Sequence, residues 1–396
     1  MTHALPTVDA SELPRHPLAV TRLGLTNFRS YARAELEPGA RPVVLAGPNG
    51  AGKTNLLDAI SLLSPGRGLR AAPLLEHTRK APQDAATDVL WAVNATVARG
   101  EEHYEIGTGL VAGAAGSERR EVRLNGAPAQ SSAELGEIVQ MAWLTPAMDR
   151  LFAESASGRR RFLDRLVLGF EPAHAHASLR YERAMRERAR VLRLGPRDPG
   201  WLAALEKEMG EWGIAIASAR ARVVTRLNIE LVRRERAGAF PAAQLALQGE
   251  TDRLVSEQGE RAVEALRAAL EASRIRDAES RRTTMGPHVS DLSARHTAKR
   301  MDARDCSTGE QKALLISIVL ANAWEVARSG DGHVPLLLLD EIAAHLDARR
   351  RAALFEEILA LGAQAWLTGT DLSLFESLAP RADIFLVEAG RLTRQN

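Results

Sequence analysis

Gly47-Pro48-Asn49-Gly50-Ala51-Gly52-Lys53-Thr54 is the stretch on which the fold turns. It satisfies G-x-x-x-x-G-K-[S/T], the pattern of a loop that wraps phosphate. Its glycines let backbone N–H groups turn toward phosphate oxygens with no Cβ in the way. Residues 42–46 run apolar into Gly47 and predict a buried strand. Residues 52–63 predict a helix, whose positive N-terminal end adds to the anion site. In such a loop Lys53 reaches the β- and γ-phosphates of a nucleotide and the Thr54 hydroxyl holds Mg²⁺. A chance match is the competing explanation, and the strand before and helix after argue against it.

Two further segments gain meaning from that loop. Residues 336–341 read Leu-Leu-Leu-Leu-Asp-Glu, an apolar strand ending in two carboxylates. Ligands of open α/β sheets gather at the C-terminal ends of strands. Asp340 is therefore expected to support Mg²⁺ and Glu341 to polarise an attacking water. Ser307-Thr308-Gly309-Glu310 precedes a helix expected over residues 310–328. Ser307 can donate to a phosphate oxygen there, and Gly309 permits close backbone approach. The same residues also form a capping box, Ser307 at the cap and Glu310 three residues on. The two readings are compatible.

Composition narrows the class. The chain has 396 residues, 45% hydrophobic and 26% charged, which is ordinary globular usage. No apolar run reaches the length of a membrane span. The polar, Pro-containing N-terminus is expected to be a loose tail over residues 1–18 and not a secretory signal. Cys306 is the only cysteine, so no internal disulfide can form, and a cytoplasmic protein with no membrane partner is expected. The formal charge is +2, yet residues 150–194 hold eleven Arg against five acidic residues. With aromatics at 4%, any nucleic acid would be held by phosphate contacts more than by base stacking. Solvated helix faces account for such arginines equally well.

The fold class expected is α/β, an ATPase head built from both chain ends with an inserted, mainly helical arm. Strands are expected at residues 19–25, 91–98, 102–110 and 121–124, with Asn125-Gly126 as a hairpin turn. Residues 148–284 are rich in Glu, Arg, Ala and Leu at helical spacing and predict helices, broken at 195–200 by Gly-Pro-Arg-Asp-Pro-Gly. Strands at 334–339, 365–368 and 384–388 and a helix over 347–361 restore the alternation. The domains expected are 19–147, 148–284 and 285–396, the last carrying Ser307 and Asp340.

Ser307-Thr308-Gly309-Glu310-Gln311 resembles the signature motif of ABC-type ATPases, Leu-Ser-Gly-Gly-Gln, with Cys306 for the Leu and Thr308 for the first Gly. In those proteins the signature caps the γ-phosphate held by a second copy. The resemblance thus implies an ATP-sandwiched homodimer, with Ser307 and Gly309 completing the partner's site. Ala344-His345-Leu346-Asp347 resembles the D-loop at that interface. The usual H-loop histidine is not evident; after the next strand the chain reads Thr368-Gly369-Thr370-Asp371, which points to a Thr as the group that senses γ-phosphate and argues against fast turnover. No Q-loop Gln follows the first lobe, where residues 143–149 read Trp-Leu-Thr-Pro-Ala-Met-Asp.

Lys53 and Ser307 lie 254 positions apart, too far for a typical transporter subunit and too near for an SMC protein with long arms. Four ordered segments resemble the bacterial RecF family: residues 25–31 (Leu-Thr-Asn-Phe-Arg-Ser-Tyr), the phosphate loop with residues 55–60, residues 159–164 (Arg-Arg-Arg-Phe-Leu-Asp) and residues 286–291 (Gly-Pro-His-Val-Ser-Asp). In the last, Val289 and Ser290 depart from the family's Arg and Asp. The resemblance implies ATP-dependent binding to gapped DNA with RecO and RecR, in support of RecA, with weak DNA-dependent ATPase activity. A transport-type ATPase subunit and a nuclease-coupled ATPase are the alternatives. No acidic-cluster domain that would favour the second is seen in the sequence.

Overall fold

The computed structural model describes residues 16–80, 89–112, 118–194, 199–235, 239–329 and 333–395. Most of the expected N-terminal tail, and residues 195–198 of the expected helix break, lie outside them. From the N-terminus come β1 (His16–Phe28), β2 (Tyr31–Leu36), β3 (Val43–Ala46), helix α1 (Lys53–Ser61), β4 (Val89–Arg99), β5 (Glu102–Ala112), β6 (Glu118–Leu124), β7 (Ala127–Pro128), α2 (Leu135–Ile138) and β8 (Met141–Leu144). The middle supplies α3 (Ala156–Leu168), α4 (Ala173–Leu194), α5 (Pro199–Glu235), β9 (Ala243–Gln248), α6 (Glu250–Gln258), α7 (Ala262–Ala272), α8 (Arg274–Ser280), β10 (Asp291–His296), β11 (Met301–Asp302) and α9 (Thr308–Ser329). The chain closes with β12 (His333–Val334), β13 (Leu336–Leu339), α10 (Ala348–Leu361), β14 (Ala365–Gly369), β15 (Asp383–Glu388) and β16 (Arg391–Gln395).

These elements form two compact units. The first comprises Met1–Asp149, Arg234–Phe240 and Leu315–Asn396 and holds two sheets. One sheet has the order β16-β15-β3-β14-β13-β8, all parallel except β16. Its central strands are apolar on both faces, as parallel strands covered on both sides require. The other sheet has the order β12-β1-β4-β5-β6-β7, with β2 also on β1. Asn125 and Gly126 adopt positive φ between β6 and β7, the turn expected there. The strand expected over residues 334–339 is two strands in different sheets, because Pro335 has no N–H for a continuous ladder.

One apolar core joins the two sheets and α1, from Leu18, Leu25 and Trp91 through Leu56 and Ile60 to Leu338 and Trp366. A fully buried glutamine crosses it. Gln364 Oε1 accepts from Val20 N at 2.8 Å and from the Trp366 indole at 3.0 Å, while Nε2 donates to the carbonyls of Val20 and Gly39. A buried amide is tolerated when its donors and acceptors are all used, as here.

The second unit comprises Arg150–Arg233 and Pro241–Leu314. Residues 285–314, assigned from sequence to the C-terminal lobe, cluster with this unit, and Arg234–Phe240 clusters with the first. Nor is the span 148–284 purely helical. β9 lies within it and pairs with β10, and β10 pairs with β11. Ala, Gln and Leu favour helices, so local propensity hid this strand, whose partner comes from beyond residue 284.

Apolar packing around Tyr181, Met209, Leu266 and Leu270 is accompanied by a buried ionic knot. Arg188, fully buried, bonds Glu206 at 3.1 Å, Asp277 at 2.7 Å and the Leu270 carbonyl at 2.7 Å. The Arg-rich box of residues 159–164 and the Gly-Pro-His box meet in this unit. Arg159 makes a bidentate pair with Asp291 (2.8 and 2.7 Å), and Arg160 donates to the Ser290 carbonyl. Asp164 takes Arg220 bidentately and contacts His174. His288 is held between the Tyr181 hydroxyl on Nδ1 and the Thr283 carbonyl on Nε2, which makes it a structural residue. Gly286 sits at φ 137°, and a Cβ there would stand 1.9 Å from the Tyr181 hydroxyl.

Candidate functional site

β3 delivers the loop Gly47–Thr54 to the C-terminal edge of the parallel sheet. Gly47 has φ 154°, and a Cβ on it would lie 2.1 Å from the Val387 carbonyl, so only glycine fits. Gly50 and Gly52 also have positive φ. Pro48, Asn49 and Gly50 are exposed at the tip, while Ala51 is buried and accepts from Gly390 N. No side chain caps the start of α1, which leaves its first N–H groups for an anion. Lys53 is 4% exposed, and its ammonium donates to the Gly47 (2.7 Å) and Pro48 (2.9 Å) carbonyls across the loop. Burial lowers its pKa, opposed by the charges of Glu341 and Asp340.

β13 brings Asp340 to the same edge. The Thr54 hydroxyl lies 2.9 Å from Asp340 Oδ1 and 3.1 Å from Oδ2, closing a gap of 286 positions. Burial pushes the Asp340 carboxyl up, against hydrogen bonds from Thr368 and Thr54. A hydroxyl beside a buried carboxylate is a hard-oxygen donor set that suits Mg²⁺. Glu341 follows in the left-handed region, at φ 51°.

Three sets of contacts could not be read from the sequence. Thr368 on β14 is buried, donates to Asp340 Oδ1 at 2.7 Å and accepts from Glu341 N at 2.8 Å. Thr370, two residues further on, is exposed. The residue 27–31 box is a clasp on the phosphate loop and α1. Arg29 bonds Asp58 at 2.6 Å, the Tyr31 hydroxyl donates to the Gly52 carbonyl and Asn55 donates to Ser30. His77, stacked on Phe28, lies 3.3 Å from Asp58. Burial would raise the Asp58 pKa, but His77 and Arg29 hold it below the usual range. Finally, the charge of Arg70 acts on Asp340. Only long-range pairing reveals these contacts.

Ser307 and Gly309 belong to the second unit, at the start of α9. Ser307, Thr308 and Gly309 are exposed, and nothing lies within 4 Å of a Cβ on Gly309. Glu310 accepts from Ser307 N at 2.9 Å, as a capping box requires, and also pairs with Lys299. Those bonds hold its pKa down at about 2. Gln311 anchors the turn through the Cys306 carbonyl. In the D-loop segment, Asp347 caps α10 by accepting from Arg350 N. Of the eleven arginines over residues 150–194, Arg159, Arg160 and Arg188 serve internal contacts, whereas Arg150, Arg161, Arg183 and Arg193 are exposed. Among the described residues, no helix is long and apolar enough to cross a membrane.

A phosphate-type loop, a strand ending in Asp-Glu and a helix-capping Ser-Thr-Gly-Glu define a class of ATPase heads. The chain matches the family described as RecF/RecN/SMC N terminal domain over residues 19–391. A DNA replication and repair protein RecF of Rhizobium etli (strain CIAT 652) is 47% identical over 95% of this chain and 99% of its own. The RecF of Mesorhizobium japonicum is 49% identical over 94% and 96%. This chain belongs to the RecF family of DNA replication and repair proteins. Its fold is also that of a solved structure described as the recombination mediator protein RecF-ATPrS in the RecFOR pathway (TM-score 0.81, 21% identity, 97% of this chain and 100% of that one). An Smc head bound to the C-winged helix domain of ScpA is more distant (TM-score 0.54, 15% identity, 95% and 97%).

Proposed function

We propose that this chain binds ATP with Mg²⁺ and uses it to close a homodimer on DNA during recombinational repair. The observation that carries the reading is the 2.9 Å approach of Thr54 to Asp340, which joins the phosphate loop to the acidic strand end. Gly47, Pro48, Asn49, Gly50, Ala51, Gly52 and Lys53 cradle the phosphates in this reading, and Thr54 with Asp340 holds the metal. Mg²⁺ neutralises phosphate charge when bound. Lys53 turns from its own carbonyls to the phosphates, and Glu341 orients the attacking water. The exposed Ser307 and Gly309 at a helix N-terminus are suited to cap the nucleotide of a second copy. A weak, DNA-dependent ATPase acting as a switch is the activity expected in this reading.

DNA is the partner that family membership and the exposed arginines of the second unit both support. Gapped or single-strand/double-strand junctions are the expected substrate, with RecR and RecO as protein partners, RecA loading as the outcome and the cytoplasm as the place of action. The test is sedimentation of the full chain with and without ATP and Mg²⁺, with gapped duplex in parallel. A dimer that forms only with ATP and then retains gapped DNA is expected. A monomer under every condition rules out the clamp.

A further inference from the structure

We infer that Thr368 is a positioning residue that locks Asp340 and Glu341 together; this rests on the nucleotide reading above. β14 lies between β3 and β13, so Thr368 stands between the phosphate loop and the acidic strand end. Its side chain is 1% exposed, and its hydroxyl has a single proton to give. The hydroxyl donates it to Asp340 Oδ1 at 2.7 Å, and the Thr368 oxygen accepts the Glu341 N–H at 2.8 Å.

The two bonds do different things. The first bonds the same Asp340 oxygen, Oδ1, that Thr54 approaches at 2.9 Å, so that two hydroxyls set the carboxylate's orientation. The second satisfies a backbone N–H at a residue held at φ 51°. A non-glycine residue there carries strain of order 1 kcal/mol, and it persists only where surrounding contacts over-determine it. Thr368 supplies one such contact, so the direction in which the Glu341 side chain leaves the strand depends on it. Thr370, two residues on, is exposed and has neither bond.

The variants are Thr368→Val, which keeps the shape and removes the hydroxyl, Thr368→Ala, which relieves any packing conflict, and Thr368→Ser, which restores both bonds. Binding of a fluorescent ATP analogue is titrated with Mg²⁺, with Asp340→Asn as the control for a lost metal site. In Thr368→Val and Thr368→Ala the Mg²⁺ concentration for half-effect rises about tenfold, the scale of one missing hydrogen bond to a charged group. Nucleotide binding without Mg²⁺ stays as in the wild type, and Thr368→Ser responds like the wild type. An unchanged Mg²⁺ response in Val and Ala, with Asp340→Asn impaired, overturns the role of Thr368 and leaves the nucleotide reading standing. Equal losses with and without Mg²⁺ mark a merely structural threonine and also overturn it. A wild type that binds no nucleotide overturns the underlying reading and this inference with it.

Discussion

At the scale of single residues, the loop is shaped by what cannot be added to it. Gly47 abuts the Val387 carbonyl so closely that a methyl group has no room, and the Lys53 ammonium reaches across the loop to the Gly47 and Pro48 carbonyls. An ammonium is a compact point charge, whereas a guanidinium is planar and wider. Lys53→Arg is therefore expected to weaken binding of a fluorescent ATP analogue at least tenfold, with circular dichroism and melting close to wild type. Affinity within twofold of wild type contradicts that role for Lys53.

At the scale of elements, the second unit is held by ionic contacts as much as by apolar packing. Arg188, Glu206 and Asp277 are buried together; Glu206 also pairs with Arg274, so removing Arg188 takes the cation chiefly from the buried Asp277. Arg188→Met is expected to cost about 3–5 kcal/mol in chemical denaturation, since a buried ion left unpaired carries its desolvation penalty alone. Asp164 adds a pH dependence. Burial would raise its carboxyl, but Arg220 and His174 bring it down from 3.8 to about 2. A depressed carboxyl contributes fully above its unfolded value and loses that contribution as pH falls through the folded one. Thermal melts should hold between pH 6 and 5 and drop between about pH 4 and 2, and Asp164→Asn should flatten the drop. An acid transition as steep in Asp164→Asn as in the wild type would remove Asp164 as its source.

At the scale of the whole molecule, the proposed dimer and DNA surfaces can each be tested by substitution. Ser307→Arg places a long cation at the exposed tip of α9, where the reading above puts a second copy. ATP binding should survive while ATP-driven dimerisation, followed by sedimentation, is abolished; normal dimerisation refutes the trans-acting signature. On the second unit, Arg161 and Arg183 are exposed on α3 and α4. Replacing both with Gln should weaken DNA binding and reduce the slope of log affinity against log salt by about 2, one unit for each phosphate no longer neutralised. An unchanged slope moves the DNA footprint elsewhere.

Much of this protein was written locally. Strand, glycine loop and helix at residues 42–63 are adjacent in the chain, and an apolar run ending in Asp-Glu declares a buried strand with carboxylates at its mouth. The sequence by itself therefore determined the α/β class, the strand, loop and helix around residues 47–54, the strand that ends at Asp340 and the family. Other features needed the third dimension. β9 is made of helix-favouring residues and becomes a strand because β10 pairs with it. The arginines of residues 150–194 look alike in sequence, yet some build the arm and others face solvent. Thr368 and the clasp of Arg29 on Asp58 join residues 27–28 or 29 positions apart, through strand order and side-chain hydrogen bonds. Periodicity and short motifs report what neighbours in the chain can do. Which distant groups share a proton is decided only when packing brings them within hydrogen-bonding reach.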